Sequence, residues 1–245
     1  MKKQDYTPPE NILEKYADLI VKFGLRNRSG SKPKKGAVVR FVVPEVAKPL
    51  YYHLQRAILK NGYNPLGFFT PSNEEGYNFD KNFFDYASKA QIEFFAERYT
   101  RGTIDQIDCT LYIIAETDPH SLNSVDPKKV LARSFAQRQS KEWTFEKINA
   151  GKLNWTLALY GTDASAKEAG MSTKQFWGQI TKACYLDSKN PVKEWERINK
   201  TVQSTATKLT KLKIQKVHMV GEDVDITIGI GSDRAWRAGG GNNIP

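Results

Sequence analysis

Three histidines, two cysteines and a few short acidic runs are the side chains of this 245-residue sequence best suited to bind a metal or attack a carbonyl. Zinc hydrolysis needs ligands that converge, most simply two histidines four residues apart on one helical face. His53, His120 and His218 are instead 67 and 98 residues apart. His53 falls between core positions of a helix and His218 within a strand, so each reads as structural. No Gly-x-Ser-x-Gly elbow is present to hold a serine on a strained turn. Gly229-Ile-Gly-Ser232 has only the start of one, and it follows a strand without opening a helix, so it also fails as a dinucleotide loop. No phosphate loop ending in Gly-Lys-Ser/Thr occurs. Cys109 and Cys184 lie in apolar runs, where burial raises a thiol's pKa, so neither reads as a thiolate nucleophile. Glu222, Asp223 and Asp225 carry enough oxygen for a hard cation but read more simply as a solvated hairpin turn. Glu74-Glu75 and Glu116 with Asp118 read as loop acids. No complete catalytic or metal-ligand set emerges from these residues.

The charge is uneven. Lys and Arg number 37 against 27 Asp and Glu, a net of +10. Residues 1–36 contribute nine basic and four acidic groups, and residues 197–217 six basic groups and no acid. Such patches attract nucleic acid or an acidic partner, although a solvated helix face and an N-terminal arm carry the same signature. The 197–217 stretch has no aromatic residue to stack an unpaired base. Two cysteines build no disulfide framework, which is the usage of a reducing compartment. The first residues lack the apolar segment of a signal peptide, and no apolar run approaches the ~18 residues of a membrane helix. A cytoplasmic protein without a membrane partner is expected.

These side chains are positioned by an alternating series of helices and strands. Asn11 with Glu14 is spaced as a capping box for a first helix whose apolar face is Ile12, Tyr16, Leu19, Ile20 and Phe23, with Gly24 as a left-handed stop. Ala37–Val43 is rich in β-branched residues and predicts a strand covered on both faces. A helix with Leu50, Leu54, Ala57 and Ile58 inward, ended by Gly62, leads to a short strand at Pro65–Thr70, completing a βαβ unit. A helical stretch over about Asp80–Tyr99 precedes a buried strand at Asp108–Ala115. Asp126-Pro127 caps a helix presenting Val130, Leu131 and Phe135. Leu153–Tyr160 is the next strand. Ser172 with Gln175 opens a helix burying Phe176, Ile180 and Cys184, and Asn190-Pro191 opens another bearing Trp195, Ile198, Val202, Ala206 and Leu209. Ile214–Val220 and Val224–Ile230 flank Gly221-Glu-Asp223 as a hairpin with one exposed face. The fold class is α/β: a mainly parallel sheet flanked by helices on both faces, with an antiparallel hairpin near the C-terminus. The terminal Ala238-Gly-Gly-Gly-Asn-Asn-Ile-Pro245 has no means of packing itself and reads as a chain ending inside a loop.

In the last third, Asn190-Pro-Val-Lys-Glu-Trp195-Glu, Asp225-Ile-Thr-Ile-Gly-Ile230, Trp236 before Gly239-Gly240, and Asn243-Ile-Pro245 stand in an order that resembles the aminopeptidase T family of thermophilic-type, metal-dependent aminopeptidases. Ala17–Gly24, Ser124–Pro127 and Phe176-Trp177 extend the resemblance upstream. Val224, where the family often has threonine, and Ser232-Asp-Arg-Ala depart from it. Family members are longer, and their metal ligands follow the Asn-Ile-Pro segment. The resemblance therefore implies that residues 1–236 are an N-terminal, non-catalytic lid and scaffold, with residues 237–245 starting the linker to a metal-binding domain. It implies two divalent ions (zinc, cobalt or similar) in the full-length enzyme, where they would activate a water and polarise the scissile carbonyl, and none in this piece. It also implies a peptide substrate and a homodimer. No catalytic or metal-ligand role transfers to any residue here. Trp236 and Asn243 are expected to run toward the substrate cavity. The alternative expectation is a basic α/β module that binds nucleic acid or an acidic partner.

Overall fold

The computed structural model describes residues 4–27, 30–231 and 233–237, and the chain divides between Pro191 and Val192 into two compact units. In the first unit the elements run α1 (Glu10–Leu19), a π-helical turn (Ile20–Gly24), β1 (Val38–Pro44), α2 (Lys48–Lys60), β2 (Asn64–Thr70), α3 (Phe79–Tyr86), α4 (Lys89–Glu93), α5 (Glu97–Gln106), β3 (Cys109–Ile114), α6 (Pro127–Ala136), α7 (Arg138–Asn149), β4 (Asn154–Leu159), α8 (Asp163–Glu168) and α9 (Thr173–Ala183). The second unit holds most of α10 (Pro191–Lys211), then β5 (Lys216–Gly221) and β6 (Val224–Gly229). The α/β class, the mainly parallel sheet and the antiparallel hairpin are all as the sequence leads one to expect.

The four strands of the first unit are parallel in the order β2-β1-β3-β4. Chain direction makes β1 the starting point, from which the path moves first to β2 on one side and then to β3 on the other. Val39, Phe41 and Val43 of β1 are fully buried and alternate with half-buried neighbours. The expectation of full cover on both faces of this strand is thus corrected. One face lies under α1, α2 and the π-turn, and the opposite face carries exposed Tyr112 and Ile114. Leu50, Leu54, Ala57 and Ile58 point inward from α2, and Gly62 adopts the left-handed φ of +75° after it.

Three local expectations change for identifiable reasons. The Asn11/Glu14 box does not form. Helix α1 begins two residues earlier, with the Pro9 carbonyl accepting from the Ile12 and Leu13 N–H groups at 3.0 and 3.2 Å, while Glu14 turns to Arg56 at 3.0 Å. Gly24 is not a left-handed stop; the helix continues as a π-turn, and a Cβ there would lie 2.9 Å from Thr156 Oγ1. Close approach of helix to strand is what selects glycine. The single helix over Asp80–Tyr99 is broken, because Ser88 and Gln91 form a capping box that starts α4 afresh. The Ser172/Gln175 box and the Asp126-Pro127 cap form as their spacing predicts.

Phe84, Ile92 and Val125 make a small satellite core that Val130 joins, whereas Leu131 and Phe135 of α6 are exposed. In α9 it is Trp177 that is buried, with Phe176 only half so. The Trp177 ring meets Tyr16 and Tyr160 edge-on, with centroids 6.2 and 5.0 Å apart. Tyr16, fully buried, donates its hydroxyl to the Leu159 carbonyl at 2.7 Å.

In the second unit β5 and β6 pair Val217 with Ile228 and Met219 with Ile226, so their apolar side chains share a face. Ile226 and Ile228 are exposed, as is Met219. Among the described residues no helix is long and apolar enough to cross a membrane.

Candidate functional site

Parallel strands send their following loops to one edge of the sheet, and the first and third strands part there because the chain reverses its order. A crevice at this position is where open α/β sheets receive ligands. Here the loops after all four strands contribute to a cavity of about 340 Å³ lined by Val46, Ser72, Glu74, Glu75, Thr117 and Asp163. A neighbouring cavity of about 560 Å³ shares Gln4 and Val46 and is bordered by Glu10, Lys48, His53 and Tyr160.

The polar groups of the crevice are largely committed to holding the loops. Ser72 Oγ accepts the Val46 N–H at 3.1 Å. Thr162 donates to the Glu116 carbonyl and caps α8 by accepting the Ser165 N–H at 3.1 Å. Asp163 accepts the Thr173 hydroxyl at 2.5 Å and the Asp5 N–H at 3.1 Å. The amides at the rim are committed as well: Gln4 Oε1 accepts the Asp163 N–H at 2.9 Å, and Asn73 accepts the Phe79 N–H at 2.9 Å while donating to Asp80 at 2.8 Å. A general base needs a proton donor or nucleophile within hydrogen-bond reach; Asp163 has the Thr173 hydroxyl there, but that pair joins the start of α8 to the start of α9.

The His53 ring is buried on α2, and burial together with the neighbouring Arg56 guanidinium, whose Nη2 lies 3.4 Å from Nδ1, pushes its pKa below the ordinary histidine value. Glu10 and Glu14 oppose that shift without reversing it. His120 lies in the loop after β3, exposed, with Nε2 3.3 Å from Glu168. His218 sits on β5 with Nε2 2.6 Å from Asp225, so one member of the acidic hairpin cluster pairs across the strands rather than facing a cation. The three histidines do not meet. Among the described residues no three His, Cys, Asp or Glu side chains are gathered as a metal site. The described residues do not fit a catalytic metal centre. Cys109 and Cys184 are fully buried, and burial pushes both thiols up to about 12.

Trp236 is half-buried beyond β6, in the second unit. Its N–H donates to Thr210 Oγ1 at 2.9 Å, and that hydroxyl has the Ala206 and Trp236 carbonyls at 2.9 and 3.3 Å as acceptors. A single threonine at the end of α10 thereby ties the segment after the hairpin to the helix. Asn243 lies outside the described residues. Of the crevice lining, the sequence marks Glu74 and Glu75, as loop acids, and not the cavity they border. Its signal was the βαβ order itself, since the switch point of a parallel sheet falls at the carboxyl ends of its first and third strands.

Comparison with known proteins covers nearly the whole chain. Residues 9–245 match the family model described as thermophilic metalloprotease (M29). Aminopeptidase PepS of Streptococcus thermophilus is 23% identical over 137 residues, which are 53% of this chain and 33% of that protein. Aminopeptidase T of Thermus thermophilus is 22% identical over 132 residues, 51% of this chain and 32% of that one. The solved structure of wild-type AmpT from Thermus thermophilus superposes with a TM-score of 0.70 at 18% identity, covering 90% of this chain and 54% of the other. At that identity the likeness establishes the fold. The chain spans about half the length of the solved relative.

Proposed function

Because the chain belongs to the thermophilic metalloprotease (M29) family, we propose that it serves as the N-terminal, non-catalytic domain of a metal-dependent aminopeptidase. The observation that carries this reading is a conjunction. The family match runs over residues 9–245, and among the described residues no metal-ligand set is gathered. In this reading residues 1–236 act as lid and scaffold, residues 237–245 begin a linker, and Trp236 and Asn243 border the substrate cavity. The ligands for two divalent ions, of zinc or cobalt type, belong to a further domain. The substrate is a peptide with a free amino terminus, the complete enzyme is a homodimer, and it works in the cytoplasm. The names of the aminopeptidase relatives support the substrate class.

The test compares the 1–245 chain with the complete product of its reading frame, each supplied with zinc or cobalt and an unblocked peptide. Release of the terminal residue by the complete product alone is the expected result. Release by pure 1–245 overturns the non-catalytic assignment. A reading frame that stops at Pro245 overturns the two-domain assignment.

A further inference from the structure

The opposite edge of the sheet, where β1, β3 and β4 begin, holds a cleft of about 680 Å³. Its walls carry Lys32, Lys34 and Lys35 from the loop before β1, and Lys147 and Lys152 from α7 and the turn after it. Against these five lysines stands one lining carboxylate, Asp108, a net of +4.

The two innermost charges are already occupied. Asp108 accepts the Val38 N–H at 2.8 Å. Lys147 donates to the carbonyls of Ile104, Asp105 and Ile107 at 2.6, 3.0 and 2.6 Å, closing the C-terminal end of α5. Burial lowers its pKa, which raises the value of those three acceptors. Lys32, Lys34, Lys35 and Lys152 are exposed, and among the described residues none of them has a carboxylate partner. Like charges facing one concavity repel, so an anion bound between them relieves that repulsion as well as adding attraction.

The backbone that carries these lysines is fixed. Pro33 sets φ between Lys32 and Lys34. The Ala37 N–H closes a turn on the Lys34 carbonyl at 3.1 Å, and the Gly36 N–H is tied to the Gly62 carbonyl at 2.8 Å. Across the cleft, the Lys152 N–H returns to the Lys147 carbonyl at 3.0 Å after Gly151 at φ +68°. No aromatic side chain lines the cleft, so nothing is provided to stack a base.

We propose that this cleft binds the phosphate chain of a small polyanion through Lys32, Lys34, Lys35 and Lys152. Tripolyphosphate and a nucleoside triphosphate offer the same chain, and its charge matches the four available ammonium groups. The inference is independent of the aminopeptidase reading.

Calorimetric titration of the 1–245 chain with sodium tripolyphosphate, orthophosphate and ATP at low and raised salt is the test. Tripolyphosphate is expected to bind saturably at one site, more tightly than orthophosphate by about tenfold and more weakly as salt rises. ATP is expected to match it within about threefold, since only the chain is read. The variant K34Q/K35Q/K152Q, changed only at exposed positions, is expected to lose at least about tenfold, while K34R/K35R retains binding. The variant K200Q/K208Q on α10 is expected to bind as the parent does. Four results overturn the proposal: no saturable binding at low salt, an equal loss in K200Q/K208Q, binding of ATP without tripolyphosphate, or binding of a DNA duplex without tripolyphosphate.

Discussion

The indole N–H of Trp177 donates to the Gly161 carbonyl at 3.0 Å, and the same ring fills the space a side chain at 161 would need. A Cβ on Gly161 would lie 2.9 Å from Trp177 Nε1 and 3.0 Å from Phe176. The loop leaving β4 can therefore pass α9 only as bare backbone, and Trp177 in turn supports Tyr16 and Tyr160.

Gly161→Ala is expected to destabilise the chain by about 1–3 kcal/mol, the cost of overpacking a close contact. Trp177→Phe keeps most of the apolar volume but leaves the Gly161 carbonyl without its donor, at a cost of about 1–3 kcal/mol. Urea unfolding of both variants checks this; a loss below about 0.5 kcal/mol in each, the range of ordinary surface changes, removes the pair from the core.

The helix caps give a contrast. Ser172→Ala and Ser88→Ala each remove a side-chain acceptor from a first turn and are expected to cost about 1 kcal/mol. Asn11→Ala is expected to stay within about 0.5 kcal/mol, because Asn11 is exposed and caps nothing. Thermal unfolding of the three variants side by side decides it, and an Asn11→Ala loss equal to the serine losses would restore the sequence-based cap.

Much of the frame was legible because its signals are local. Proline after aspartate at 126–127, serine three residues before glutamine at 172–175 and alternation in Val224–Ile230 each act within a few residues. What was not legible depended on contacts distant in sequence. Glu14 is spaced to reach back to Asn11, but Arg56 on α2 offers it a charge. Gly24 has the composition of a helix stop, yet Thr156, on the last strand of the sheet, determines its use. Trp177 and Phe176 are adjacent and both apolar; Trp177 is the one that shares a buried helical face with Thr173, Ile180 and Cys184 and reaches the Gly161 carbonyl. The crevice was hidden for the same reason, since it is assembled from loops that follow four different strands.

Alkaline pH should unfold the chain through its cysteines. Both thiols are raised from the usual 9.0 to about 12 in the folded state, so the folded chain holds protons that the unfolded chain releases. Their contribution is complete below pH 9 and falls away as pH climbs from 9 toward 12, by about 1.4 kcal/mol per thiol for each pH unit. Urea unfolding at pH 8 and pH 10 is expected to differ by roughly 3 kcal/mol from the two thiols together. Cys109→Ala/Cys184→Ala lowers absolute stability but flattens this slope, and an unchanged slope in that variant refutes the assignment.

Thr210→Val keeps the shape of the side chain and removes the hydroxyl that accepts the Trp236 N–H. Hydrogen exchange at the Trp236 amide is expected to speed up by about tenfold, the equivalent of one lost hydrogen bond. Amides of β1 and β3 are expected to exchange as before. Unchanged exchange at Trp236 would mean that the segment is held by something other than this threonine.

The hairpin also affects how the chain behaves in a tube. Pro65 near the start of β2 leaves one rim of the parallel sheet short of a donor, a known guard against strand recruitment. Strands β5 and β6 contain no proline, among the described residues neither pairs with a further strand, and Met219, Ile226 and Ile228 are exposed on one side. With a net charge of +10, electrostatic repulsion keeps copies apart in dilute buffer. Salt screens that repulsion without covering the hairpin, so the 1–245 chain should be most soluble at low ionic strength and begin to precipitate as salt is added.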